Sequence, residues 1–141
     1  MTLNDFQGGY ADKSPVGYPG MIATTNARDA FTHTIETSAA GFGLAMGQGA
    51  ADRGAVLGGA AFIGLTIADK SRDSEAYGIG ETASLLRKGT MVVTASTAVN
   101  AGDAVTYDAN GALGAGLANT IPGARFESTA QAGSLVRIYL G

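Results

Sequence analysis

The chain contains one histidine, His33, and no cysteine, so the groups that most often activate water, hold zinc or attack a carbonyl are nearly absent. His33 sits between Phe31 and Ile35 at strand spacing, where an imidazole is expected as a half-buried structural group rather than a general base. The HxxxH, HxH and ExxH spacings of imidazole metal sites are missing. No Gly-x-Ser-x-Gly elbow supports a serine nucleophile. Gly41-Phe42-Gly43 and Gly47-Gln48-Gly49 are pieces of a dinucleotide fingerprint, but that motif must open a helix, and alternating strand patterns flank both. These glycines are expected to let backbones approach closely or turn at a bulge. Asp69, Asp73, Asp103 and Asp108 lack the spacing of a calcium loop, and Asp103 is expected to cap its own turn. No catalytic, cofactor-binding or metal-binding residue is therefore assigned.

The elements around these residues follow a period of two. Phe31, His33 and Ile35 alternate against Thr32, Thr34 and Glu36, and Phe42, Leu44 and Met46 repeat the pattern with small residues between them. Phe62 to Ala68 is the most apolar run and predicts a central strand. Gln48–Gly59 is expected as a Gly/Ala-rich loop, and the mixed charges of Asp69–Glu75 predict a solvated one. Thr82–Leu86 and Met91–Thr94 flank Arg87-Lys88-Gly89, which predicts a hairpin. A tight turn precedes the strand Ala104–Asp108, Asn110-Gly111 signals a second hairpin, and Ser134–Leu140 alternates Leu135, Arg137 and Tyr139 against Val136, Ile138 and Leu140. No helix is expected, since Thr82–Lys88, the best candidate, has the wrong residues. Seven or eight short strands predict an all-β fold, a small antiparallel β-sandwich or barrel. Residues 1–30, broken by Gly8, Gly9, Pro15, Gly17, Pro19 and Gly20, predict an extended N-terminal arm anchored by Tyr10, Tyr18, Met21 and Ile22; residues 31–141 form the single domain.

Composition sets limits on this picture. Gly and Ala fill 48 of 141 positions, while Leu, Ile, Val and Phe number only 29, so the core is small and burial against a partner should add stability. No apolar run approaches the roughly 18 residues of a membrane helix. The N-terminal residues lack the pattern of a signal peptide, and without disulfides the cytoplasm is the simplest compartment. With a net charge of −3 and no basic block, a sequence-independent grip on nucleic acid is excluded. Abundant small side chains and scant catalytic hardware suit a structural or interaction protein.

The order of short motifs carries a resemblance. Gly17-Tyr18-Pro19-Gly20-Met21-Ile22-Ala23, Phe62-Ile63-Gly64-Leu65-Thr66-Ile67, Gly80-Glu81 with Arg87-Lys88-Gly89, and Ala101-Gly102-Asp103-Ala104-Val105-Thr106-Tyr107-Asp108 follow one another. Ile121 to Phe126 and Gly133 to Arg137 close the series. In this order they resemble the structural cement, or head decoration, proteins of tailed phages. The segment Gly41–Gly59 departs from that pattern in its wealth of Gly and Ala.

The resemblance implies a jelly-roll-like β-sandwich without enzymatic activity, made in the bacterial host cytoplasm. It would bind the outer surface of an assembled phage head and bridge subunits of the major capsid protein. It needs no cofactor, and its partners would be the major capsid protein and itself, a dimer being favoured over a trimer. Contacts with capsid or self are expected at Tyr10, Tyr18, Pro19, Met21, Arg28, Arg53, Arg125 and Arg137, with Ser134–Leu140 as the edge strand able to continue the sheet into a second copy. The competing expectation is a small carbohydrate- or ligand-binding β-sandwich module of a phage fibre or adhesion structure. The absence of Trp and the presence of only five Tyr weigh against it, since sugar sites stack on exposed aromatics.

Overall fold

The computed structural model describes residues 17–22, 29–69, 71 and 75–140. These residues form eleven strands and no helix: β1 (Asp29–Ile35), β2 (Ala40–Gly41), β3 (Ala45–Gln48), β4 (Gly54–Leu57), β5 (Phe62–Thr66), β6 (Ala76–Tyr77), β7 (Thr82–Thr94), β8 (Ala104–Tyr107), β9 (Leu113–Gly114), β10 (Asn119–Phe126) and β11 (Leu135–Leu140). The fold is all-β and closed. Strands β1, β4, β3, β5 and β7 pair in that order, and β1 pairs back onto β7 to complete a five-stranded ring. The C-terminal half of β7 continues into β11, β10, β8 and β9. A parallel bridge from Leu113 to Ala95, just beyond β7, brings the end of that second sheet back to its start.

Two hydrophobic cores follow from this arrangement, because successive side chains of a strand point to opposite faces. Leu85 packs with Ile35, Phe42, Met46 and Tyr77 inside the first ring, whereas its neighbour Leu86 packs with Leu65, Met91, Val105 and Phe126 in the second core. Met46 and Ala45 divide the same way. The apolar run of β5 is thus a wall between two cores, where both faces must shed water. The small β2–β6 pair adds Tyr77 beside Phe42, edge to face with ring centroids 5.5 Å apart.

Several expectations need correction. Arg87-Lys88-Gly89 makes no hairpin: β7 runs unbroken for 13 residues. A register shift between Asp29 and Ala30 of β1 marks a bulge at this point, and Gly89, at φ 127°, occupies a backbone region that L side chains rarely adopt. The strand bends there and leaves β1 for β11. Gln48–Gly59 is no simple loop, since β4 lies inside it, antiparallel to β3 and parallel to β1. Its residues carry little strand signal, and its partners on both sides fix it. Ser134–Leu140 is not an edge: β11 sits between β7 and β10. Its alternation does hold, with Val136, Ile138 and Leu140 buried.

The turns agree with their chemistry. The Asp103 carboxylate accepts the Asn100 N–H at 2.9 Å, and Asp108 Oδ1 accepts those of Asn110 and Ala112 at 2.8 and 3.1 Å around the β8–β9 hairpin. Of the N-terminal stretch, residues 17–22 are described and lie along β7. The Gly20 N–H donates to the Val92 carbonyl at 2.8 Å, and the Val92 N–H donates to the Met21 carbonyl at 2.9 Å. This segment covers the edge of β7 that faces away from β11, an edge that would otherwise offer unpaired backbone groups.

Candidate functional site

No three His, Cys, Asp or Glu side chains converge in a metal-sized cluster among the described residues. The surface features that remain are a patch, a groove and the arm seat. The patch is on the outer face of the second sheet. Arg125 of β10 stands opposite Tyr139 of β11, and Arg137 lies two residues from Tyr139 on the same exposed face. Tyr139 is 39% exposed, a large value for an aromatic side chain of a central strand. The strand alternation that buries Val136, Ile138 and Leu140 is what pushes Arg137 and Tyr139 outward. Tyrosine and arginine are the residues that most often anchor protein contacts, since each offers broad apolar area with a polar end.

The groove lies where the first ring meets β10 and β11 of the second sheet. It holds about 440 Å³ and is walled by Phe31 and His33 of β1, Phe62 and Ile63 of β5, Arg87 of β7 and Ile121 of β10. His33 is only 7% exposed, as its place between Phe31 and Ile35 implies, and its ring meets Phe31 edge to face at 4.9 Å. Its Nδ1 has no hydrogen-bond partner among the described residues. The Arg87 guanidinium stacks over the Phe31 ring, 4.8 Å from the centroid.

The other expected contact residues are scattered. Tyr18 and Pro19 line a smaller cavity of about 190 Å³ with Phe42 and Glu75. Met21 is half-buried against the body. Arg53 turns back onto its own chain, where Nη2 donates to the Thr32 carbonyl at 2.7 Å. Tyr10 and Arg28 lie outside the described residues. The structure therefore gathers Arg125 and Arg137 on one face and places Arg53, Tyr18 and Pro19 elsewhere. Tyr139 and Arg87 are additional to the expected set. Tyr139 was legible from its alternation with buried neighbours, but Arg87 was hidden by the hairpin reading.

Closed strand rings with apolar cores and exposed Arg–Tyr patches define a structural or binding module of the all-β class. The chain belongs to the structural cement protein family (E217 gp24/Pam3 gp6), whose model matches residues 6–141. No curated protein matches it. Among solved structures, it is similar to a chain of the capsid of Myoviridae phage XM1, with a TM-score of 0.73 at 13% identity over 94% of this chain and 96% of that one. It is also similar to the head fiber gp8.5 N base of bacteriophage phi29, with a TM-score of 0.57 at 15% identity over 82% and 95% of the two chains. At such identities these likenesses concern the fold. The chain is a phage structural protein, associated with the capsid of the virion head.

Proposed function

We propose that this protein binds the outer surface of the assembled head and bridges neighbouring major capsid subunits, acting without catalysis. The observation that carries this reading, beside family membership, is the Arg125–Tyr139–Arg137 patch, which sits on a rigid central strand pair. Residues held by a closed sheet lose little freedom on binding, so more of their contact energy is realised as affinity. In this reading the arm, residues 1–30 with Tyr10, Tyr18, Pro19, Met21 and Arg28, and the body, residues 31–141 with Arg53, Arg125 and Arg137, touch different subunits. Two tethered contacts must break together for the protein to leave, and avidity follows from that alone. Binding the assembled shell and not its separated subunits stabilises the shell by mass action. A homo-oligomer on the shell belongs to the same proposal, although β11, an inner strand, cannot form its interface by continuing the sheet.

The test is co-sedimentation of purified protein with emptied phage heads and, separately, with unassembled capsid subunits. Binding to heads alone, with a raised temperature of head disruption, is the expected result. Equal binding to free subunits, or none to heads, would overturn the proposal.

A further inference from the structure

We infer that Ile79 is a second anchor of the body, an apolar knob that enters a small apolar socket on a shell subunit, separate from the Tyr139 contact. This inference rests on the shell-binding reading above and adds to it a contact of defined chemistry. Ile79 and Tyr139 are the exposed large hydrophobic side chains among the described residues, and Ile79 is the more open of the two at 62%. A single exposed aliphatic side chain is ordinary on a protein surface. The setting of this one is not.

Ile79 holds the second position of the turn Gly78-Ile79-Gly80-Glu81. The Glu81 N–H donates to the Gly78 carbonyl at 3.1 Å, and Gly80 has a φ of 83°, as the third residue of a type II turn does. Three more hydrogen bonds fix the turn: the Glu81 carboxylate accepts the Gly78 N–H, the Gly80 N–H donates to the Ile35 carbonyl at 2.8 Å, and the Ile35 N–H donates to the Glu81 carbonyl at 3.0 Å. Ile79 makes none of them. Proline or a polar residue suits that position in a turn, so the fold gains nothing from an isoleucine there. The glycines on either side leave it unshielded, and even a β-carbon on Gly80 would meet nothing within 4 Å. A β-branched side chain is stiff at χ1 and loses little rotamer freedom on burial. The turn therefore presents a rigid knob.

The knob stands apart from the Tyr139 patch. Its turn leads into Thr82, the first residue of β7, whereas Tyr139 pairs with Thr90. The strand from Thr82 to Thr90 separates the two, roughly 25 Å at a rise of about 3.3 Å per residue. Two anchors so spaced on one closed sheet suit two sites on the shell, and the protein leaves only when both contacts break. The socket must be apolar, because a polar or charged group covered by Ile79 would lose its water without gaining a partner.

The test measures binding to emptied heads and melting temperature for wild type, Ile79→Val and Ile79→Thr. Valine and threonine share one shape and differ by a hydroxyl in place of a methyl, so the pair isolates burial in an apolar socket. Ile79→Val is expected to bind within about threefold of wild type, and Ile79→Thr about tenfold more weakly than Ile79→Val, the cost of a buried hydroxyl without a partner, at equal melting temperatures. Ile79→Thr binding as well as Ile79→Val would overturn the inference and leave the shell reading intact. A melting temperature that falls in step with head binding would make Ile79 a structural residue and overturn it too. Wild-type protein that fails to bind heads would overturn the shell reading and the inference with it. Adding Tyr139→Ala to Ile79→Thr should lose more than either change alone; a double variant no weaker than Tyr139→Ala would overturn the separate contact. Sedimentation of the protein alone covers the remaining occupant: self-association lost in Ile79→Thr, with head binding unchanged, would assign the knob to a second copy and overturn the inference.

Discussion

The Glu36 carboxylate occupies the space that a β-carbon on Gly54 would fill. From there its two oxygens accept the N–H groups of Ala50 and Ala51, each at 2.9 Å, and so fasten the β3–β4 turn to the end of β1. A charged acceptor on two backbone donors keeps the turn closed without any large side chain.

The pH dependence of stability follows from this latch. The two backbone hydrogen bonds hold the Glu36 carboxyl below its ordinary value of 4.5, burial opposing them. A carboxyl lowered by folding stabilises the protein above its unfolded pKa, and that contribution is lost as pH falls through the folded pKa. Glu36→Gln should therefore be less stable than wild type at neutral pH, with the difference shrinking below about pH 4.5. Thermal melts of both proteins between neutral and acid pH would show the two curves converge. Parallel curves would refute it.

Two glycine substitutions should differ for a physical reason. A methyl on Gly54 meets the flexible end of Glu36, which can swing away, so Gly54→Ala should open the turn and leave the ring intact. A methyl on Gly47 would lie 2.5 Å from the Gly59 backbone, which has nowhere to go. Gly47→Ala should lose about 1–3 kcal/mol, the ordinary range for overpacking, with a visibly lower denaturant midpoint. A Gly47→Ala protein as stable as Gly54→Ala would contradict this ranking.

Truncation separates the arm from its seat. Removing residues 1–16 leaves the Gly20 and Met21 bonds to Val92 in place, so the melting temperature should hold while head affinity falls. Removing residues 1–22 strips those bonds and the contact of Ile22 with the second core, so the melting temperature should fall by several degrees as well. Circular dichroism melts and co-sedimentation of both proteins check this. Unchanged head affinity after the shorter cut would remove the arm from the proposed interface.

Binding through the Arg–Tyr patch should be selective. Tyr139→Ala removes a ring that stands on the outer face, 39% exposed, so it should weaken head binding by about 1–2 kcal/mol, as anchor residues do, with a smaller loss of stability in the melt. Salt should matter moderately. A thousandfold loss of affinity between low and physiological salt would need many simultaneous ion contacts, which the patch does not offer.

Strand chemistry that is local was readable from the residues alone. The alternation in β1 and β11, the apolar run of β5 and the Asp108–Gly111 turn each lie within a few residues, because side-chain period and turn preference are properties of short segments. The order of the motifs likewise carried the family. Tertiary structure decided what depends on distant partners. Residues Gly54–Leu57 carry little propensity and become a strand only because β1 and β3 lie on either side. Leu85 and Leu86 signal burial, but not that each faces a different core. The groove joins His33, Arg87 and Ile121 across nearly ninety positions of sequence. Pairing is a contest among strands far apart in the chain, and glycine and alanine, which form so much of this protein, show whom they approach only once the neighbour is in place.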